Sequence, residues 1–291
     1  MTKILFSIPV HEKPEIVRDQ IENINYFCPG ATIAIHVSAG ATAKDAFRRV
    51  CDLDNVIVNP SSYETIWCQG LMHAHVGNFL YALECGRSFE KVVLLSSNEL
   101  LVKPGLAQYV SQYSLGSQTE MYDTATDWGS FRSDVLSAHS MRKFLTRLEL
   151  PVYFGGQAEG QFYDTPVFAH MARLFIDHFP MAPCGFPSEE IIPPTVAAHY
   201  ARNGTDAALP ITLCDYCTNI VVSKEIIEQA RTGRGAVYGR RIPRSLRSPH
   251  IGTSAMKGIF SIKRIPREDC ELRRYVRSLM TDDATAGLTI A

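Results

Sequence analysis

The sequence predicts an α/β fold in which helices flank one mostly parallel sheet, followed by a basic C-terminal region. Three features point there. From Lys3 to Leu95, short β-rich runs alternate with stretches of helical apolar spacing, the order that produces parallel strands joined by crossover helices. The run KVVLL, Lys91 to Leu95, is apolar without alternation after its first residue, as in a strand covered on both faces. The chain has 291 residues with 46% hydrophobic and 20% charged residues, enough to bury one sizeable core without a partner.

The elements follow in order. Lys3 to Val10 (KILFSIPV) reads as a strand, and Pro9 begins the turn into a helix over Glu12 to Tyr26, where Ile16, Ile21 and Ile24 fall near helical spacing. Ala31 to Val37 is a second strand, Ala43 to Cys51 a helix, Asn55 to Val58 a third strand and Leu71 to Cys85 a long helix. Asp52-Leu53-Asp54 lies between a helix and a strand and reads as a turn. After Lys103 the regular alternation stops. PVYFGGQAEGQF carries a strand with a Gly-rich turn, a helix is expected from about Pro166 to His178, and residues after about 281 read as a loose tail. In open parallel sheets ligands sit beyond the carboxyl ends of the strands. The segments 9–13, 38–42, 59–70 and 96–101 are therefore expected to converge on one crevice.

Charge and cysteine usage exclude some functions. Lys plus Arg total 29 against 30 for Asp plus Glu, so no overall field draws the chain to nucleic acid. No run of 18 or more uncharged apolar residues marks a membrane span and the N-terminal apolar run is too short for a signal segment, so a cytoplasmic location is expected. The eight cysteines are scattered, as reduced thiols are, and the lone CxxC at Cys214 and Cys217 lacks the second pair that a zinc site needs.

Three clusters carry chemical potential. Between Arg231 and Arg267, Arg and Lys recur with almost no acid, which suits either a solvated loop or a set of fixed cations for a phosphorylated ligand. Ser188-Glu189-Glu190 places two adjacent carboxylates either as a helix N-terminal pair or as a source of general base. Ser96, Ser97, Asn98 and Glu99 leave the KVVLL strand at the ligand edge without an Asp-x-Asp metal grip, so the expected mechanism neutralises phosphate with side chains and no metal. His36 is expected to be an interior strand residue, and His73 and His75, two apart on a helix, do not face one metal.

These blocks resemble, in the right order, the core 2/I-branching β-N-acetylglucosaminyltransferases with their xylosyltransferase and bacterial relatives. The likeness is carried by ILFSIPVHEKPEIVRDQIENI, IAIHVS, ETIWCQGLMHAHVGNFLYALE, VVLLSSNELLVKPG, FPSEEIIPPTVAAHYA and IFSIKRIPREDCELRRYV. Here Ser38 stands at an acidic position of the family pattern, Glu99 at an Asp and Leu101 at a Pro. The resemblance implies a GT-A-like (Rossmann-like) catalytic domain over residues 1–281, with a nucleotide-binding half at 1–103, an acceptor and diphosphate half at 104–281, and a tail at 282–291. It implies an inverting, metal-independent transfer of a GlcNAc- or xylose-like sugar from a UDP-sugar to a glycan acceptor, in bacterial surface polysaccharide synthesis, with no other cofactor. Glu190 matches the catalytic base, with Glu189 and Thr195 in the accompanying motif positions. Lys263, with Arg247 or alternatively Arg244, matches the diphosphate contacts. Val10, His11, Ser38, Trp67, Asn98 and Glu99 fall at donor positions, and Gln157 and Glu159 at acceptor positions. No nucleic acid and no integral membrane segment are implied, and peripheral membrane association is left open. The competing readings are a non-catalytic nucleotide- or glycan-binding module and another nucleotide-dependent transferase such as a sulfotransferase.

Overall fold

The apolar, β-branched runs at the start of the chain form the centre of a seven-stranded sheet. The structure is a computed structural model that describes residues 2–11, 13–42, 44–66, 68–121, 132–182, 184–213, 222–234 and 256–286. Strand β1 (Ile4–Val10) leads to helix α1 (Pro14–Phe27), then β2 (Thr32–Val37), α2 (Lys44–Val50), β3 (Val56–Val58), α3 (Leu71–Glu84) and β4 (Lys91–Leu94). Strands β3, β2, β1 and β4 lie side by side and parallel, with Phe6 opposite Ile33 and Val93. Ile4, Phe6, Ile8 and Val10 feed one apolar cluster and Leu5 the other, the alternation that a sheet covered on both faces requires.

Shorter pieces follow: β5 (Leu100–Leu101), α4 (Leu106–Val110), β6 (Leu115–Gly116), β7 (Glu120–Met121), α5 (Arg132–Ser137), α6 (His139–Arg147), β8 (Phe154–Gly155) and β9 (Phe162–Asp164). Strand β9 runs antiparallel to β4, with Val93 opposite Phe162, so the parallel pattern ends where the sequence alternation ends. Helices α7 (Thr165–His178) and α8 (Ser188–Arg202) join α3 and α6 in one cluster. After β10 (Ala207–Ala208) and β11 (Thr212–Leu213), α9 (Lys224–Thr232) and α10 (Glu271–Ala286) contribute to the other, with β12 (Ser261–Ile262) between them. Helix α10 continues past Thr281, into the stretch expected to be a loose tail, because Val276 and Leu279 bury against that cluster.

Strand β12 pairs in parallel with β11 and antiparallel with β5. This small sheet brings Lys263 beside the loop that leaves β4, a contact between residues far apart in sequence. Among the described residues, no helix is long and apolar enough to cross a membrane.

Candidate functional site

A crevice of ≈ 440 Å³ opens at the carboxyl ends of β1 and β4, as the sheet's polarity requires. Pro9 and His11 line it from the end of β1, Thr65 and Ile66 from the loop after β3, and Ser96 and Ser97 from the end of β4. Three of the four expected segments therefore meet there, and no residue of 38–42 lines it. Glu159, Glu189, Glu190, Lys263 and Arg267 complete the polar wall, with Leu71, Leu95 and Ala158 on the apolar side. An adjoining cavity of ≈ 210 Å³ is lined by Ser96, Asn98, Lys263, Arg264 and Arg267, so cations gather at that end.

Helix α8 delivers the two carboxylates. Glu189 and Glu190 occupy its first turn, where the helix dipole favours negative charge. Pro193 and Pro194 lack the N–H groups that would close the helical bonds to the carbonyls of Glu189 and Glu190. The carbonyl of Glu190 accepts instead from the backbone N–H of Gly156 at 2.9 Å, which ties the helix to the segment after β8. Thr195 reinforces the seam: its hydroxyl accepts from Phe154 N at 3.0 Å and donates to Phe154 O at 3.1 Å. Burial, and next the charge of Glu190, push the Glu189 carboxyl up to about 8.

A second acidic pair, Glu159 and Glu99, gathers around Lys263. Glu159 forms an ion pair with Lys263, and Glu99, fully buried, accepts from Ser96 N at 2.5 Å and from the Thr212 hydroxyl at 2.7 Å. Burial and then Glu159 raise the Glu99 carboxyl to about 7, against the opposing pull of Lys263. The turn that presents Glu159 depends on Gly160, whose φ of +74° lies in the left-handed region and whose ideal Cβ would stand 2.3 Å from Thr212 Oγ1.

The residues expected at the site separate into three groups. Glu190, Lys263, Glu159 and His11 line the crevice together. Five do not line this crevice, and each is bonded within the protein. Val10 packs in the core and its carbonyl accepts from Ser38 N at 2.8 Å. The Ser38 hydroxyl accepts from Thr65 N at 3.1 Å, fastening the loop after β3. Asn98 lines the adjoining cavity, yet its amide donates to Ile265 O at 2.6 Å and its carbonyl accepts from Arg273 at 2.5 Å. Glu99 is consumed by Ser96 and Thr212, and Gln157 donates to Glu159 O and Thr212 O at 2.8 and 2.9 Å. Trp67, Arg244, Arg247 and the CDYC cysteines lie outside the described residues.

Sequence reasoning missed three polar lining residues. Thr65 belongs to a segment that the sheet-edge rule already indicated, and Arg267 was one cation among many. His75 was weighed only against metal binding. Its Nδ1 bonds the Ser7 hydroxyl at 2.9 Å, and burial followed by the influence of His36 lowers its pKa to about 3, so it is neutral. His36 is interior as expected, its Nε2 accepting from Tyr63 N at 2.9 Å.

No family model matches the sequence, and no curated protein matches it. Solved structures are similar over large parts of the chain. A mannosyltransferase from Pyrobaculum calidifontis, in complex with GDP-Man and Mn2+, is 12% identical, with a TM-score of 0.41 over 100% of this chain and 76% of its own. The galactosyltransferase LgtC, in complex with donor and acceptor sugar analogs, is 9% identical with a TM-score of 0.40 over 99% and 97%. A 4-diphosphocytidyl-2C-methyl-D-erythritol synthase is 10% identical with a TM-score of 0.38 over 72% and 89%. Scores this low do not extend any of these activities to the present chain.

The expectation that no cofactor is needed is not kept, since the mannosyltransferase structure is a complex with GDP-Man and Mn2+. The missing Asp-x-Asp is insufficient ground for it, since an ion carried by nucleotide phosphates needs only one or two protein carboxylates. Among the described residues, no group of three or more His, Cys, Asp or Glu side chains is placed to hold a metal ion, and Glu99 and Glu159 are engaged with Ser96, Thr212 and Lys263.

Proposed function

We propose that the chain is a glycosyltransferase that moves a sugar from a nucleotide-sugar donor to a hydroxyl of a glycan acceptor by inverting displacement. The observation that carries this reading is the meeting of Glu190 with Lys263 and Arg267 around one crevice at the carboxyl ends of parallel strands. The donor's diphosphate lies at the end lined by Lys263, Arg264 and Arg267, where Lys263 exchanges its Glu159 partner for a phosphate oxygen. Glu190 takes the acceptor proton as the acceptor oxygen bonds to the anomeric carbon. The bond from that carbon to the diphosphate oxygen breaks, and its electron pair leaves with the nucleoside diphosphate.

A positioned base contributes roughly 10²-fold to 10⁴-fold, and each cation held ready for the leaving charge about 3 kcal/mol where water is excluded. The test is Glu190→Gln in a variant that melts like wild type. With the native donor and acceptor, its turnover is expected to fall at least a hundredfold. Turnover within about threefold of wild type would remove Glu190 as the base. Nucleotide binding without donor hydrolysis or transfer in the wild-type chain would favour the non-catalytic module instead.

A further inference from the structure

We propose that Thr65 and Glu189 form a hydroxyl-binding subsite for an uncharged sugar in the wall of the crevice beside Glu190. Among the residues that line this crevice, these two share an unusual property. The Thr65 hydroxyl oxygen and Glu189 Oε2 are buried and have no hydrogen-bond partner within the protein. Both residues are more than nine-tenths buried, at 6% and 3% exposure. A buried polar atom left unmet costs about 1–3 kcal/mol, which a ligand hydroxyl entering here would recover.

Neither wall is free to relieve this by itself. The Thr65 loop is fastened to the end of β2 by Thr65 N on Ser38 Oγ at 3.1 Å, Tyr63 N on His36 Nε2 at 2.9 Å and Ala39 N on Tyr63 O at 2.7 Å. The Ser62 hydroxyl adds a bond to Val37 O at 2.7 Å. Glu189 sits in the first turn of α8, whose packing and tie to Gly156 fix its direction.

The chemistry selects the ligand class. A hydroxyl both donates and accepts, so it can satisfy a threonine hydroxyl and a carboxyl oxygen together. Ile66, Leu71 and Leu95 offer apolar surface to the C–H face of a sugar ring. An anionic ligand would meet the carboxylate of Glu190 beside this subsite. Glu189 has acidic neighbours, Glu190 beside it and Glu159 in the same crevice, and it faces the thiols of Cys68 and Cys184. These surroundings keep its carboxyl protonated at neutral pH, so it offers little countercharge to an ammonium group. The subsite rests on the transferase reading only in taking the bound sugar as the acceptor.

The experiment measures sugar binding without nucleotide, by saturation-transfer NMR and titration of the full chain. The uncharged probes are the methyl glycosides of glucose, galactose, N-acetylglucosamine and xylose; glucuronate and glucosamine are the charged ones. At least one methyl glycoside is expected to bind about tenfold tighter than either charged sugar. Thr65→Val, which keeps the shape and removes the hydroxyl, is expected to weaken it about tenfold, and Thr65→Ser to restore it. Glu189→Gln, a neutral group of the same size, is expected to stay within threefold of wild type. Binding of UDP and GDP is expected to be the same in all three variants. Binding by no uncharged glycoside, equal binding of glucuronate, Thr65→Val within twofold of wild type, or a tenfold loss in Glu189→Gln would each overturn the subsite. Were Thr65→Val not to fold, Thr65→Ser together with Glu189→Gln would carry the test, because loss of binding in both contradicts a neutral hydroxyl site. In the wild-type chain, nucleotide binding without binding of any methyl glycoside would remove the subsite alone. In the wild-type chain, binding of a methyl glycoside without binding of any nucleotide would remove the transferase reading.

Discussion

Replacing Arg273 by Met tests how the cationic end of the crevice is held in place. Arg273 is 1% exposed and reaches from α10 to three anchors at once. It forms an ion pair with buried Asp19 on α1, donates to Asn98 Oδ1 at 2.5 Å and donates to Pro266 O at 2.9 Å. Asn98 in turn holds Ile265 O, so the segment carrying Lys263, Arg264 and Arg267 is clamped to the loop that leaves β4. Methionine fills much of the space but supplies no donor. Asp19 would keep only the bond from the half-exposed Arg277 at 2.7 Å, while Asn98 Oδ1 and Pro266 O would each lose a partner. Breaking one side of a buried pair costs about 3–5 kcal/mol, and at about 2–4 °C per kcal/mol the melting temperature is expected to fall by roughly 6–20 °C. Thermal and urea unfolding measure this, and nucleotide titration below the new melting point is expected to show weaker binding as the clamp loosens. A loss of stability under about 1 kcal/mol, or unchanged nucleotide affinity in the folded variant, would refute the clamp.

Gly160→Ala is expected to cost about 2–5 kcal/mol in urea unfolding, because it combines a left-handed backbone with a contact against Thr212 N at 2.4 Å. Stability should also depend on pH through Glu189 and Glu99, whose folded carboxyls titrate near 8 and 7 against an ordinary 4.5. Groups raised in this way stabilise fully below the unfolded value and lose that contribution as pH climbs through the folded one, so unfolding free energy is expected to fall between pH 5 and pH 9. Glu189→Gln is expected to flatten that slope, and an unchanged slope in both Glu189→Gln and Glu99→Gln would contradict the burial argument.

The parallel half of the fold was legible because its signals are local. The strands from Ile4, Thr32, Val56 and Lys91 are apolar runs bounded by turns, and the intervening helices show their period directly. The second half hides in strands of two or three residues, such as Phe154–Gly155 and Ser261–Ile262, which are too short for any periodicity to register. Site residues divide in the same way. Glu190 and Lys263 came from motif resemblance and line one crevice, and Glu159 was carried by the Gly-rich turn. The bond of Asn98 with Arg273, 175 residues away, leaves no local trace. The bond from Thr212 to Glu99, from 113 residues away, is hidden in the same way. The Pro193-Pro194 pair had a legible meaning that was not drawn: without N–H groups there, Glu190 O must find a donor outside the helix, and Gly156 supplies it.

The central claim is that Lys263 and Arg267 receive a nucleoside diphosphate in the crevice that Glu190 lines. Titrating UDP, GDP, CDP and ADP into the wild-type chain and Lys263→Met, each with and without Mn2+, tests it most directly through the shift in melting temperature. One nucleotide at a hundred times its Kd is expected to add about 2.7 kcal/mol of stability to the wild type, with most of that gain absent in Lys263→Met. No shift with any nucleotide at millimolar concentration, or an equal shift in both proteins, would contradict it.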